Sequence, residues 1–138
     1  MFAKFLDIED DGAFEFVMDP QWAPIATAVN ALDGQGKTLV CLEGDRNTHM
    51  DIAGGGADGC VVALTYDNEK YYTLINPAAA GHNIPVKIGS ESREYPAEML
   101  VSREIALKAA KAFAQTGVAE PSLHWRNTAD IEPVSEAS

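Results

Sequence analysis

The chain has 138 residues, 46% of them hydrophobic, and 21 acidic against 10 basic side chains give a formal net charge of −11. That length fits one domain with a sizeable core, and a field of this sign repels nucleic acid and anionic membranes, which argues against direct binding to either. No apolar run approaches the roughly 18 residues of a membrane helix, and Met1-Phe2-Ala3-Lys4 leads into acidic residues without the apolar core or cleavage site of a signal peptide, so a cytoplasmic protein is expected.

Phe14-Glu15-Phe16-Val17-Met18 alternates as a strand, paired with Phe5-Leu6-Asp7-Ile8 across an Asp11-Gly12 turn. Asp19-Pro20 then reads as a helix start, with Asp19 as cap and proline in the first helical position. Trp22, Ile25, Ala26, Val29 and Leu32 recur at helical spacing, and Asp33-Gly34 ends the segment. Strands are expected at Thr38–Glu43, Met50–Ala53, Gly59–Tyr66 and Lys70–Ile75, the last two joined as a hairpin by Asp67-Asn68-Glu69. Asn76–Pro85 reads as a loop rich in alanine, proline and glycine, and Val86-Lys87-Ile88 and Tyr95 add short extended pieces.

Ser102 can cap the final helix, whose residues Ile105, Ala106, Ala109, Ala110 and Phe113 share one face. Gly117, after Thr116, can take the left-handed conformation that closes a helix. Pro121 bars further helix, and Leu123 and Trp125 share one side of an extended segment. From Arg126 onward the composition turns polar, so residues 127–138 are expected to form a flexible tail behind a single domain spanning 1–126. Together these elements predict an α+β fold: one mainly antiparallel sheet of about five to seven strands with two α-helices packed on one face.

The charge is uneven. Residues 1–70 hold 13 acidic and 4 basic side chains, a balance of −9, and residues 71–138 hold 8 and 6, a balance of −2. Such a field steers a basic protein partner toward the chain; it also serves solubility alone. Motifs for chemistry are weak. Gly54-Gly55-Gly56-Ala57-Asp58-Gly59 lacks the lysine of a P-loop and is followed by a strand rather than a helix, so a tight turn or bulge fits it better than a phosphate cradle. His49 and Asp51 alternate on one strand face while His82 and His124 lie elsewhere, with no dense metal-ligand spacing, so neither a metal nor a cofactor is expected. Cys41 and Cys60 each sit in an apolar strand; a disulfide requires those strands to be neighbours, and two buried thiols fit a cytosolic chain better.

The glycine run Gly54-Gly55-Gly56, the helical Phe113, the Thr116-Gly117 stop and the tryptophan Trp125 together resemble immunity protein family one of the bacterial polymorphic toxin systems, over most of residues 14–126. The chain departs from that pattern at Arg126, where many members carry an acidic residue; the departure bears on a shared partner surface more than on the fold. The resemblance implies a small α+β immunity protein that binds and neutralises a cognate toxin domain, a nucleic-acid deaminase or nuclease, by blocking its active site or substrate groove. By electrostatics, Glu43, Asp45, Asp51, Asp58, Asp67 and Glu69 are the expected toxin-facing residues on a monomer or weak dimer, with the Asn76–Pro85 loop as a possible contributor. The alternatives are a small hydrolase or ligand-binding domain built on His49, Asp51 and His82, which requires their convergence, and a scaffold whose sheet edge pairs with itself.

Overall fold

A computed structural model describes residues 1–79 and 82–131. Ala80 and Gly81 of the expected loop, and Glu132 to Ser138 of the tail expected over 127–138, lie outside the described residues, whereas residues 127–131 of that expected tail belong to the fold.

The chain opens with the hairpin β1 (Phe5–Asp10) and β2 (Ala13–Met18), closed by Asp11 at φ 51° and Gly12 at φ 83°. Positive φ at both central residues is the two-residue turn whose twist matches paired strands. Helix α1 (Trp22–Ala31) follows. Its N-cap is Gln21, without a side-chain cap bond, so the expected cap role of Asp19 does not hold. Asp19 instead donates its N–H to the Lys4 carbonyl and sits at φ 49°, extending the hairpin by one rung before the chain turns. Pro20 therefore precedes the helix rather than starting it. Ile25, Ala28 and Val29 are the buried residues of α1, and Leu32 just beyond it is buried too, with Ala26 only half-buried.

Four strands then form a meander: β3 (Leu39–Glu43), β4 (His49–Gly56), β5 (Gly59–Thr65) and β6 (Tyr71–Leu74). The expected hairpin across Asp67-Asn68-Glu69 is present, with Thr65 opposite Tyr71. Next comes a separate two-stranded ribbon, β7 (Asn83–Ile88) and β8 (Glu91–Pro96). The expected loop thus gives way to a strand at Asn83, and Tyr95 belongs to that strand's partner. Pro85 and the run Glu91-Ser92-Arg93-Glu94 lack the apolar alternation of a half-buried strand, which is why pairing was not legible there. After a 3-10 turn (Ala97–Met99), α2 (Arg103–Thr116) leads to the short strand β9 (Trp125–Asn127) and a second 3-10 turn (Thr128–Asp130). Ile131 beyond it is buried.

The main sheet has seven antiparallel strands in the order β2-β1-β3-β4-β5-β6-β9, and both helices pack on one face of it. Leu6, Val40, Leu42, Met50, Ile52, Val62, Leu64 and Leu74 form the sheet side of the core, against Ile25, Val29, Leu32 and the small-residue face of α2. Ala106, Ala109 and Ala110 let α2 approach closely, and Phe113 and Ala114 complete its buried stripe. Ile105, expected on that stripe, is 36% exposed, because the stripe is centred one residue later. Ser102 caps α2 by accepting from the Ile105 N–H, and Gly117 closes it at φ 76° with its N–H on the Phe113 carbonyl. A Cβ at Gly117 would meet the Phe2 ring, which packs edge-on against Phe113 at 5.5 Å between centroids. Leu123 and Trp125 pack against the same core, as expected, with the indole N–H on the Glu120 carbonyl.

Candidate functional site: the open face of the sheet

Strand alternation sends every second side chain away from the helices. Register across the strands defines three rows on that open face. Met18, Phe5, Glu43, His49, Thr65 and Tyr71 form the first; Phe16, Asp7, Cys41, Asp51, Ala63, Thr73 and Arg126 the second; Phe14, Glu9, Leu39, Ala53 and Val61 the third. The ribbon β7–β8 covers the far end of this face, where Val61, Ile75, Val86, Met99, Leu100 and Ile131 form a second, smaller core. Between ribbon and sheet lies a cavity of about 430 Å³, floored by Ala53, Val61 and Ala63 and walled by Tyr71, Tyr95 and Arg93, with Asp51 at its side. Elsewhere on the face Phe14, Phe16 and Met18 are exposed and Asp7, Glu43, His49 and Asp51 half-buried.

Glu9 anchors the ribbon end. It is 2% exposed, yet its carboxylate accepts from the Gly12 N–H, the Thr38 N–H and the Thr38 hydroxyl, whose oxygen in turn accepts from the Gly89 N–H of the β7–β8 turn. The Thr38 hydroxyl, and then the two amides, hold the Glu9 carboxyl below its ordinary range against the opposing effect of burial. One buried carboxylate therefore ties together the β1–β2 turn, the start of β3 and the ribbon.

At the middle of the face Asp7, Cys41 and Glu43 bring three ligand-type atoms within 4.8 Å of one another. Burial pushes the Cys41 thiol up, and the Asp51 carboxylate pushes it further, so the sulfur is a poor nucleophile. Desolvation also raises Asp7. Cys60 is buried on the helix side, its thiol raised by burial, and β4 separates its strand from that of Cys41; both cysteines are free. The expected buried thiol thus holds fully for Cys60, and Cys41 is half-buried.

Of the expected toxin-facing residues, Glu43 and Asp51 lie on the open face itself. Asp45, in the β3–β4 connection, pairs with Lys4 at 2.8 Å, and Asp67 and Glu69 form the neighbouring β5–β6 turn, where the Asp67 carboxylate accepts from the Glu69 and Lys70 amides. Those amides hold Asp67 below its ordinary range. Five of the six therefore gather at one end and along the middle of the face. Asp58 sits apart, in the β4–β5 turn at the opposite end, beside a cavity of about 180 Å³ lined by Gly34, Gly54 and Lys87. Sequence reasoning missed Asp7 and the exposed row Phe14, Phe16 and Met18, since an alternating apolar strand reads as half-buried until its neighbours are known.

The histidine constellation does not assemble. His49 Nε2 stands 3.9 Å from Asp51 Oδ2, but these two residues line different cavities, and His82 is exposed at the start of the ribbon, its carbonyl accepting from the Ala97 N–H. The glycine run is a bulge, as expected: register shifts between Gly54 and Gly56. Its purpose is close approach. A Cβ at Gly55 would fall 2.4 Å from Leu32 Cβ. The Arg103 guanidinium, from α2, then bonds the Gly55 carbonyl, the Leu32 carbonyl and the Asn30 carbonyl, clamping the bulge to the end of α1. Gly54, Gly55, Gly56, Phe113, Gly117 and Trp125 are thus all packing or turn positions, and none presents chemistry.

No helix among the described residues is long and apolar enough to cross a membrane. No curated protein matches the chain. The family model described as immunity protein Imm1 matches residues 19–127, from the end of the first hairpin through β9. A match over this much of a 138-residue chain, on a fold whose glycine bulge, capped helix and tryptophan strand serve the packing just described, places the protein in the Imm1 immunity protein family.

Proposed function

We propose that this immunity protein neutralises a cognate polymorphic toxin domain, a nucleic-acid deaminase or nuclease, by laying its acidic open sheet face over the toxin's basic active-site or substrate groove. It acts by binding, as a cytoplasmic monomer or weak dimer, with no cofactor and no chemistry of its own. The observation that carries this reading is the helix-free face of the sheet, with Asp7, Glu43 and Asp51 across its middle and Asp45, Asp67 and Glu69 at its end. A toxin that cleaves or edits nucleic acid presents cationic side chains to phosphates, and a carboxylate-lined surface competes for them. Steered association favours rapid capture.

The test is co-expression and pull-down with the toxin domain encoded immediately upstream. Growth rescue and a stable complex are expected. The triple variant Glu43→Lys, Asp51→Lys, Glu69→Lys should associate on the order of 10-fold or more slowly at low salt, with a weaker salt dependence. No rescue and no complex, or unchanged association kinetics, would overturn the assignment.

A further inference from the structure

The edge strand β2 combines three properties that the core strands lack. First, its apolar residues are outside: Phe14 is 64% exposed, Phe16 55% and Met18 66%. Second, β2 ends the sheet, with β1 on one side and no strand on the other among the described residues. Third, the backbone on that open side belongs to the same residues. The Asp19 N–H bonds the Lys4 carbonyl, and the two-residue turn closes on the Asp10–Ala13 pair. In an antiparallel ladder, bonded and non-bonded pairs alternate, so Ala13, Glu15, Val17 and Asp19 bond inward to β1. Phe14, Phe16 and Met18 consequently direct their N–H and C=O groups outward, along the free edge.

Side chains and backbone thus make one surface. Phe5 stacks on Phe16 at 5.2 Å between ring centroids and carries the apolar strip one strand inward. Carboxylates border it: from Phe5 to Asp19 the chain holds Asp7, Asp10, Asp11, Glu15 and Asp19 besides the buried Glu9, and no lysine or arginine. A second copy of the chain is a poor occupant, since pairing β2 with β2 brings two such hairpins together between molecules of net charge −11. A strand with apolar residues on one face and lysine or arginine at its flanks satisfies the backbone edge, the aromatic row and the carboxylates at once.

Resting on the toxin-binding reading above, we infer that β2 is the docking edge for the toxin, which adds an extended, basic and apolar segment as an eighth strand, its apolar side chains on Phe14, Phe16 and Met18. The hairpin that offers this edge precedes the residues shared with the family model, up to Asp19.

The probe is the same upstream-encoded toxin domain, titrated into the full chain. Amide hydrogen exchange at Phe14, Phe16 and Met18 is fast in the free protein and slows by orders of magnitude in the complex, while Glu15 and Val17 are protected in both states. Phe16→Pro removes one outward donor without touching an inward bond, and Phe14→Ser with Phe16→Ser removes the aromatic row while keeping the edge. Each weakens binding on the order of 30-fold or more, as expected for central interface positions. Circular dichroism and urea unfolding confirm that both variants are folded; if Phe16→Pro is not, the double serine variant and the exchange pattern decide. Tight wild-type binding with unchanged exchange at the three amides overturns the docking edge while leaving the toxin-binding reading intact. Absence of any wild-type binding overturns both. A wild-type homodimer in solution that Phe16→Pro disperses assigns the edge to self-pairing and overturns the inference.

Discussion

Alanine at Gly55 isolates the contact on which the glycine bulge depends. The residue sits at φ 93°, and its added Cβ would lie 2.4 Å from Leu32 Cβ and 2.8 Å from the Leu32 carbonyl carbon and oxygen. The left-handed backbone alone costs an L-residue about 1–2 kcal/mol. Displacing the end of α1 adds overpacking strain of about 1–3 kcal/mol, because Leu32 is buried and its carbonyl is held by Arg103. The sum is about 3 kcal/mol, a large share of the roughly 5–15 kcal/mol that holds a domain folded. Two sister positions separate the contributions. Gly12, at φ 83° with nothing within 4 Å, carries backbone strain only, so Gly12→Ala costs about 1 kcal/mol. Gly56 has no positive φ, and its nearest neighbour is the Asp33 carbonyl at 3.6 Å, so Gly56→Ala stays within about 0.5 kcal/mol. Urea unfolding followed by tryptophan fluorescence reads all three, and with a slope of about 1–3 kcal/mol per molar the Gly55→Ala midpoint falls by about 1–3 M. Equal losses at Gly55 and Gly56, or a Gly55→Ala loss under about 1 kcal/mol, would refute close approach as the reason for the run.

Glu9→Gln lowers stability at neutral pH by about 1.5–3 kcal/mol, since charge-assisted hydrogen bonds are lost within a buried network. Because the folded carboxyl is held below the ordinary value of 4.5, the unfolded chain takes up the proton first as pH falls; the contribution is complete above that value and disappears as pH drops through the folded one. Unfolding measured from pH 7 to pH 3 should show the gap between wild type and variant closing, and a constant gap would contradict the network. Arg103→Lys keeps the charge but loses the fork that spans three carbonyls, at a cost of about 2 kcal/mol. Combined with Gly55→Ala it should cost less than the sum of the single variants, since both disturb one contact; strict additivity in a double-mutant cycle would place them in separate sites.

Local chemistry made the helix cap at Ser102, the left-handed stop at Gly117, the Asp11-Gly12 and Asp67-Asn68-Glu69 turns and the alternation of the meander strands legible, because each depends on residues within about five positions of one another. It failed where a distant partner overruled a local preference. Asp19 is a good helix cap in isolation, but it is paired with Lys4 at the hairpin end and stands at φ 49°, outside the extended conformation a cap takes, and α1 starts after Gln21. Of the ribbon β7–β8 only the extended pieces at Val86-Lys87-Ile88 and Tyr95 were legible, because its strands bury few residues, chiefly Val86 and Pro96, and so carry little apolar period.

Composition and periodicity alone determined the class of this protein: one α+β domain, acidic, with a sheet carrying two helices and a tight turn or bulge at the glycine run. Tertiary structure decided which alternating strand lies at the centre and which at the edge. Leu6-Asp7-Ile8 and Phe14-Glu15-Phe16 have the same local pattern, yet Leu6 is fully buried and Phe14 and Phe16 stand in solvent. Periodicity says that a strand has two faces; it carries no information on which strands flank it. Only strand order, set by long-range pairing, leaves β2 with a free backbone edge, an aromatic row and a border of carboxylates.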